Sequence, residues 1–171
     1  MRWVVLLVLA LGGLVAYGWT ATSHRRQGRL APPVGVTVEQ AATRIAATRG
    51  RPSVVLLYGT RCRTTCRVLV DFAAMARRHP EVDILAFSIN EADADELPVF
   101  LWHHDANFAP IFLRDWPSGA LDRAMAPLGI EVGKTWRPHL VAVRDAEGRV
   151  VAQGQGVQDV ARFERALEGL R

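Results

Sequence analysis

The sequence predicts an α/β domain, a three-layer sandwich with helices on both faces of a mixed central sheet. Three observations predict it. Two short apolar runs, SVVLLY at 53–58 and VDILAFSIN at 82–90, have the composition of strands covered on both faces. Helical stretches alternate with them, and strand–helix–strand alternation demands right-handed crossovers and parallel pairing. Near the end, HLVAVRD (139–145) and RVVAQGQG (149–156) flank Ala146-Glu147-Gly148, the pattern of an antiparallel hairpin adding edge strands.

Residues 3–19 (WVVLLVLALGGLVAYGW) carry no charge, and their length is the short end of a membrane-spanning helix. Trp3, Tyr17 and Trp19 sit where interfacial aromatics are expected. Residues 1–20 are therefore expected to form one N-terminal transmembrane anchor. A cleaved signal peptide is the alternative, although Thr-Ala-Thr at 20–22 is a poor cleavage site. Arg25, Arg26 and Arg29 follow the span, and by the positive-inside rule they oppose export of what comes next. Residues 21–36, basic and then Pro-rich around Pro32-Pro33, are expected to be a tether. Residues 37–171 are the expected folded domain.

Within that domain Thr37 is a helix cap, Gln40 its capping-box partner and Gly50 the expected stop. After strand 53–58, a helix is expected from about Cys62 to His79, where Pro80 ends it. Its apolar positions Leu69, Phe72, Ala73 and Ala76 recur at helical spacing. Strand 82–90 is followed by a helix over 96–105, with Pro98 in its first turn. An extended piece at 109–113 and a short helix over 118–128, stopped by Gly129, come next. The hairpin precedes a final amphipathic helix over 157–170, which turns Val160, Phe163 and Leu167 inward.

Composition narrows the function. The chain is 50% hydrophobic and 22% charged, which excludes a disordered chain. A single long apolar run excludes a multi-span membrane protein. Two cysteines are too few for a four-cysteine zinc site. The net charge of +4 hides an asymmetry: residues 1–80 hold twelve Arg against Glu39 and Asp71, whereas residues 81–171 are net acidic. Nearly all basic residues are Arg, as a GC-rich coding bias gives, and no nucleic-acid-binding signature accompanies them. Nucleic acid is not an expected partner.

Cys62 and Cys66, spaced Cys-Arg-Thr-Thr-Cys, fall where the first central strand hands over to a helix. Free N–H groups and the dipole at a helix N-terminus stabilise a thiolate. Arg61, Arg63 and Arg67 add positive charge. Cys66 lies one turn on, within the separation that a disulfide tolerates. A nucleophilic Cys62 and a resolving Cys66 fit this placement. A fixed structural disulfide and two inert core thiols are the alternatives.

These pieces resemble a thioredoxin-fold protein over roughly residues 35–170: the strand VVLLY, the Cys-bearing turn, the helix RVLVDFAAMARRH, the strand VDILAFSIN, and a Pro before the closing hairpin. The resemblance implies that Pro138, in Trp-Arg-Pro-His, is a cis-proline that faces the cysteines and shapes a partner groove. The long segment between the second strand and Pro138 resembles the insertion of membrane-anchored TlpA and ResA-type thiol-disulfide oxidoreductases. That likeness implies exchange of a Cys62–Cys66 disulfide with the thiols of a protein partner, without an organic cofactor. It implies a single-pass protein of the bacterial inner membrane with a periplasmic domain. A single potential cysteine pair is consistent with export.

Those families carry Trp-Cys-x-x-Cys; here Arg61 replaces the Trp and the spacing is one residue longer. Cys-x-x-x-Cys after Gly59-Thr60-Arg61 is similar to the Sco-type copper chaperones. That second likeness implies copper as an alternative, with Cys62, Cys66 and His139 as ligands. Two thiolates and an imidazole suit Cu(I). The Pro flanking the Sco cysteines is missing here, where Arg63 and Arg67 stand, and His139 is slightly displaced.

Other clusters have plainer readings. His103-His104-Asp105 are adjacent, so they point apart on a helix and are expected to be solvated. Glu91, Asp93, Asp95 and Glu96 are expected to cap the next helix. Trp102, Trp116 and Trp136 are expected in the core or a cleft wall.

Overall fold

The computed structural model describes residues 31–61, 66–114, 116, 118–133, 139–156 and 159–170. The expected anchor at 3–19, Cys62 and Pro138 lie outside these residues, as do the side chains of Cys66 and Arg67. No helix among the described residues is long and apolar enough to cross a membrane.

Six strands form one sheet: β1 (Val34–Val36), β2 (Ser53–Tyr58), β3 (Asp83–Ser88), β4 (Ile111–Leu113), β5 (Leu140–Arg144) and β6 (Val150–Gln155). Their order is β1-β4-β3-β2-β5-β6. The β1–β4, β4–β3 and β3–β2 pairs are parallel, while β2–β5 and β5–β6 are antiparallel. The sheet is mixed, as the alternation predicts. Two expectations change. Val34–Val36, expected in the tether, form edge strand β1, although Pro32-Pro33 stands directly before them. And β5, expected at an edge, is interior, because β2 covers its other side.

Among the described residues five α-helices cover the sheet: α1 (Val38–Ala46), α2 (Cys66–Arg78), α3 (Leu97–His103), α4 (Ser118–Met125) and α5 (Val160–Glu168). The pleat of β2 sorts them into two layers. Val54, Leu56 and Tyr58 face Leu69, Phe72 and Met75 of α2, Leu97 and Leu101 of α3, and Phe163 and Leu167 of α5. Val55 and Leu57 face Ala41 and Ile45 of α1 and Leu121 and Met125 of α4. All six residues of β2 are buried. Each fully buried Leu contributes about 2 kcal/mol, so this strand anchors both cores.

Local signals behave as elementary capping rules require. Thr37 Oγ1 accepts from Gln40 N–H, and Gln40 Oε1 accepts from Thr37 N–H. The helix stops at Ala46 rather than at Gly50, which lies in the following turn at φ +99°. Gly129 takes the left-handed conformation after the turn that follows α4. Arg78 and His79 tie the end of α2 to Glu164 of α5, with Arg78 bidentate at 2.7 and 2.8 Å.

Candidate functional site at the carboxyl end of strand β2

Parallel strands bring their carboxyl ends together, so the loops after β2 and β3 meet. Tyr58 pairs in register with Ser88. Beyond them, Thr60 N–H donates to Asn90 Oδ1 at 2.8 Å, and Thr60 Oγ1 donates to Asp93 Oδ2 at 2.8 Å. Arg61 closes on the same carboxylate with three contacts, Nε to Oδ2 at 2.9 Å and to Oδ1 at 3.3 Å, and Nη2 to Oδ1 at 2.8 Å. Hydrogen bonds from Arg61 and then Thr60 hold the Asp93 carboxyl below the usual carboxylate range.

This contact corrects two expectations. Residues Glu91–Glu96 form a 3₁₀ turn before α3, and neither Asn90 nor Glu96 caps with its side chain. Asp93 instead anchors the loop that leads into Cys62. Arg61 is not a free positive charge beside that cysteine, because a carboxylate engages its guanidinium. The pairing spans 32 residues of sequence, and no local pattern announces it. The available signal was topological: in a strand–helix–strand unit, the residues just past the two strand ends become neighbours.

A cleft of about 210 Å³ opens beside this loop, lined by Thr60, Arg61, Asp93, Glu96 and Phe100. Phe100 stacks on Tyr58 with 6.5 Å between ring centres, and His104 packs on Phe100 at 4.6 Å. His104 is thus half-buried rather than solvated, and burial lowers its pKa. Exposed His103 rests against half-buried Trp102. Half-buried Trp116 packs on the α1–α4 side of the sheet, while Trp136 lies outside the described residues.

Across the β2–β5 pair the last registered partners are Leu57 and Leu140. Tyr58 and His139 stand one step beyond them. Both are buried, at 0% and 1% exposure. The Tyr58 hydroxyl and both His139 ring nitrogens have no hydrogen-bond partner among the described residues. Burial raises the Tyr58 pKa and lowers that of His139, which holds the imidazole neutral. His139 does not sit in the strand as expected. It precedes β5 at φ +72°, an uncommon conformation for a residue with a Cβ, while its carbonyl accepts from Gly156 N–H at 2.9 Å. A lone histidine in a strand is usually satisfied; this one is not.

Cys66 is the first residue of α2, and Cys62 follows Arg61 directly in sequence. Pro138, the residue before His139, lies outside the described residues together with any isomer of its peptide bond. No group of three metal-binding side chains occurs among the described residues.

No protein-family model matches the chain, and no curated protein matches its sequence. Solved structures do match. A thiol:disulfide interchange protein of the thioredoxin family from Chlorobium tepidum is 22% identical, with a TM-score of 0.57 over 83% of this chain and 97% of that one. A secreted Mycobacterium tuberculosis disulfide oxidoreductase, homologous to DsbE of E. coli, is 14% identical, with a TM-score of 0.56 over 73% of this chain and 86% of that one. The thioredoxin domain of a Bacteroides vulgatus thiol-disulfide oxidoreductase is 15% identical, with a TM-score of 0.53 over 72% of this chain and 81% of that one. The fold is thioredoxin-like. Cys66 therefore opens the helix that follows the central strand of a thioredoxin-like sheet, and Cys62 lies outside the described residues.

Proposed function

We propose that the chain is a thiol-disulfide oxidoreductase acting on protein partners through Cys62 and Cys66. The observation that supports this reading is that β2, the strand buried in both cores, ends shortly before Cys62 in sequence and that Cys66 opens α2. Strand ends of this kind are where open α/β sheets bind and react. The Cys62 thiolate attacks one sulfur of a partner disulfide. One S–S bond breaks, a mixed disulfide forms, and the expelled partner sulfur takes a proton. The Cys66 thiolate then attacks Cys62 Sγ, releasing the second partner thiol and leaving Cys62–Cys66 oxidised. The partner gains two electrons and two protons, and a second dithiol protein restores the pair. The reverse sequence oxidises a partner. Pro138 shapes the groove for the partner strand. Exchange kinetics with a protein disulfide test the reading: Cys62→Ser is expected to abolish catalysis, and unchanged activity contradicts it.

We also propose that residues 3–19 anchor the chain in a bacterial inner membrane, with the thioredoxin-like domain in the periplasm. Alkaline phosphatase fused after residue 35 is expected to be active; inactivity contradicts export.

One observation favours a second reading. His139 offers a neutral, buried imidazole with both nitrogens unpartnered. With two thiolates it would complete a soft donor set for Cu(I) as cargo. Anaerobic Cu(I) titration against a chelator tests this. One copper per chain, lost in His139→Leu, supports copper delivery, and no retained copper removes it.

A further inference from the structure

We propose that the outer edge of β1 is a docking site for an extended, acidic segment of a partner protein, which adds to the sheet as a further strand. The site lies apart from the cysteine turn, and the inference does not depend on the oxidoreductase reading. Among the described residues β1 ends the sheet and pairs with β4 alone. Val34 N–H donates to the Pro110 carbonyl at 2.8 Å, and the Val36 carbonyl accepts from Arg114 N–H at 2.8 Å. Backbone groups alternate in direction along a strand, so the N–H and C=O of Gly35 point away from β4. The opposite edge of the sheet is protected. Arg162 of α5 reaches β6 and donates to the Gln153 carbonyl at 3.3 Å, and the β5–β6 register shifts between Val143 and Arg144. Such devices keep an edge from pairing with another chain. Among the described residues Gly35 has no comparable hydrogen bond.

Charge sets the chemistry of the occupant. A groove of about 490 Å³ runs beside this edge, lined by β1, by Glu39, Gln40, Thr43 and Arg44 of α1, and by Arg114. The Arg44 and Arg114 side chains are exposed and make no ion pair or hydrogen bond among the described residues. Glu39 is the one carboxylate in the lining against these two guanidiniums, so the groove is net positive. Gly35 helps to place Arg114. A Cβ at Gly35 would lie 2.8 Å from Arg114 Cδ and 2.7 Å from Phe112 Cζ, so its absence lets the Arg114 stem lie against the strand. Val34, 44% exposed, adds an apolar contact. An added strand therefore meets main-chain groups at Gly35, an apolar side chain at Val34 and cations at Arg44 and Arg114, and carboxylate side chains match it. A second copy of this chain would bring its own Arg44 and Arg114, and like charge opposes that pairing. β1 stands three strands from β2, roughly 14 Å across the sheet, so a segment docked here leaves the carboxyl end of β2 uncovered.

Fluorescence anisotropy with the full chain tests this. The probe is a labelled decapeptide of alternating valine and glutamate. Its controls are the same peptide N-methylated throughout, which cannot donate to a strand, and a peptide with lysine in place of glutamate. Saturable binding of the glutamate peptide is expected, weakened about tenfold by Arg44→Gln with Arg114→Gln, which together remove two exposed charge pairs. Neither control peptide is expected to bind. Equal binding of the N-methylated peptide would mean charge attraction without strand pairing and overturns the proposal. Equal binding of the lysine peptide, or no binding by any peptide, overturns it as well. Displacement of the bound peptide by phosphatidylglycerol vesicles but not by phosphatidylcholine vesicles would assign the edge to an anionic membrane instead. A dimer in sedimentation that the same two substitutions dissociate would assign it to a second copy. The control peptides need no variant, so they decide the matter even if the substituted chain does not fold.

Discussion

The β2–β5 pair buries polar groups at both of its ends, and the two ends treat them differently. At one end Ser53 registers with Arg144, which is 1% exposed. Its guanidinium donates to the Ile45 carbonyl at 2.7 Å and the Gly148 carbonyl at 3.1 Å. Asp145 beside it accepts from Arg149 N–H and Nε. This end is a satisfied network that joins the end of α1 to the hairpin. At the other end Tyr58 and His139 are equally buried, and the Tyr58 hydroxyl and both His139 ring nitrogens have no hydrogen-bond partner among the described residues. A buried polar group without a partner costs about 1–3 kcal/mol. Natural folds retain such groups where chemistry requires them. The satisfied end maintains the fold, and the unsatisfied end adjoins the cysteine turn.

Arg144→Leu is the largest expected disturbance. It removes the donors but leaves the Ile45 carbonyl buried and the Gly148 carbonyl partly buried, so about 2–4 kcal/mol of unfolding free energy should be lost in urea melts. A change under 1 kcal/mol would remove the contrast between the two ends. Gly148→Ala strikes the same network. Gly148 has φ +84°, and a Cβ there would lie 2.8 Å from Arg144 Nη2. About 1–2 kcal/mol should be lost.

At the other end the sign reverses. His139→Leu removes an unpaired imidazole from a buried site and should stabilise the chain by about 1 kcal/mol. Its pH signature is specific. Burial holds the His139 pKa below its ordinary 6.5. Below that pH the unfolded chain binds a proton that the folded chain refuses, so stability is full above about 6.5 and falls as pH drops. Half-buried His104, whose pKa burial also lowers, adds to the same slope, so the variant should lose part of it, and an unchanged slope would assign it elsewhere. Tyr58→Phe is the smallest test. Deleting a buried, unpartnered hydroxyl beside the Phe100 ring removes that penalty and leaves a small void, so stability should rise by about 0.5–1 kcal/mol.

Much of the satisfied architecture is legible in the sequence, because it rests on local rules. SVVLLY matches β2 residue for residue, and Thr37 with Gln40 forms the expected capping box. Val34–Val36 escaped because three residues after a Pro pair carry too little pattern. The interior place of β5 depends on strand order, which no local run encodes. In the candidate site the residue types suggest a cysteine turn after β2, but Cys62 lies outside the described residues. The Arg61–Asp93 pair was not legible, because only the parallel register of β2 and β3 joins the two loops. Likewise the sequence reads His139 as part of the strand, whereas its place before β5, its left-handed backbone and its unmet nitrogens are properties of packing.

Covalent trapping tests the central claim most directly. The full chain with Cys66→Ser, reduced and mixed with a disulfide-bonded protein substrate, is followed by intact mass. The account expects a mixed disulfide at Cys62, cleaved by dithiothreitol and absent when Cys62 is also replaced by Ser. Failure to form that adduct, together with a wild-type Cys62–Cys66 disulfide that excess glutathione leaves intact, would contradict it and make the bridge structural.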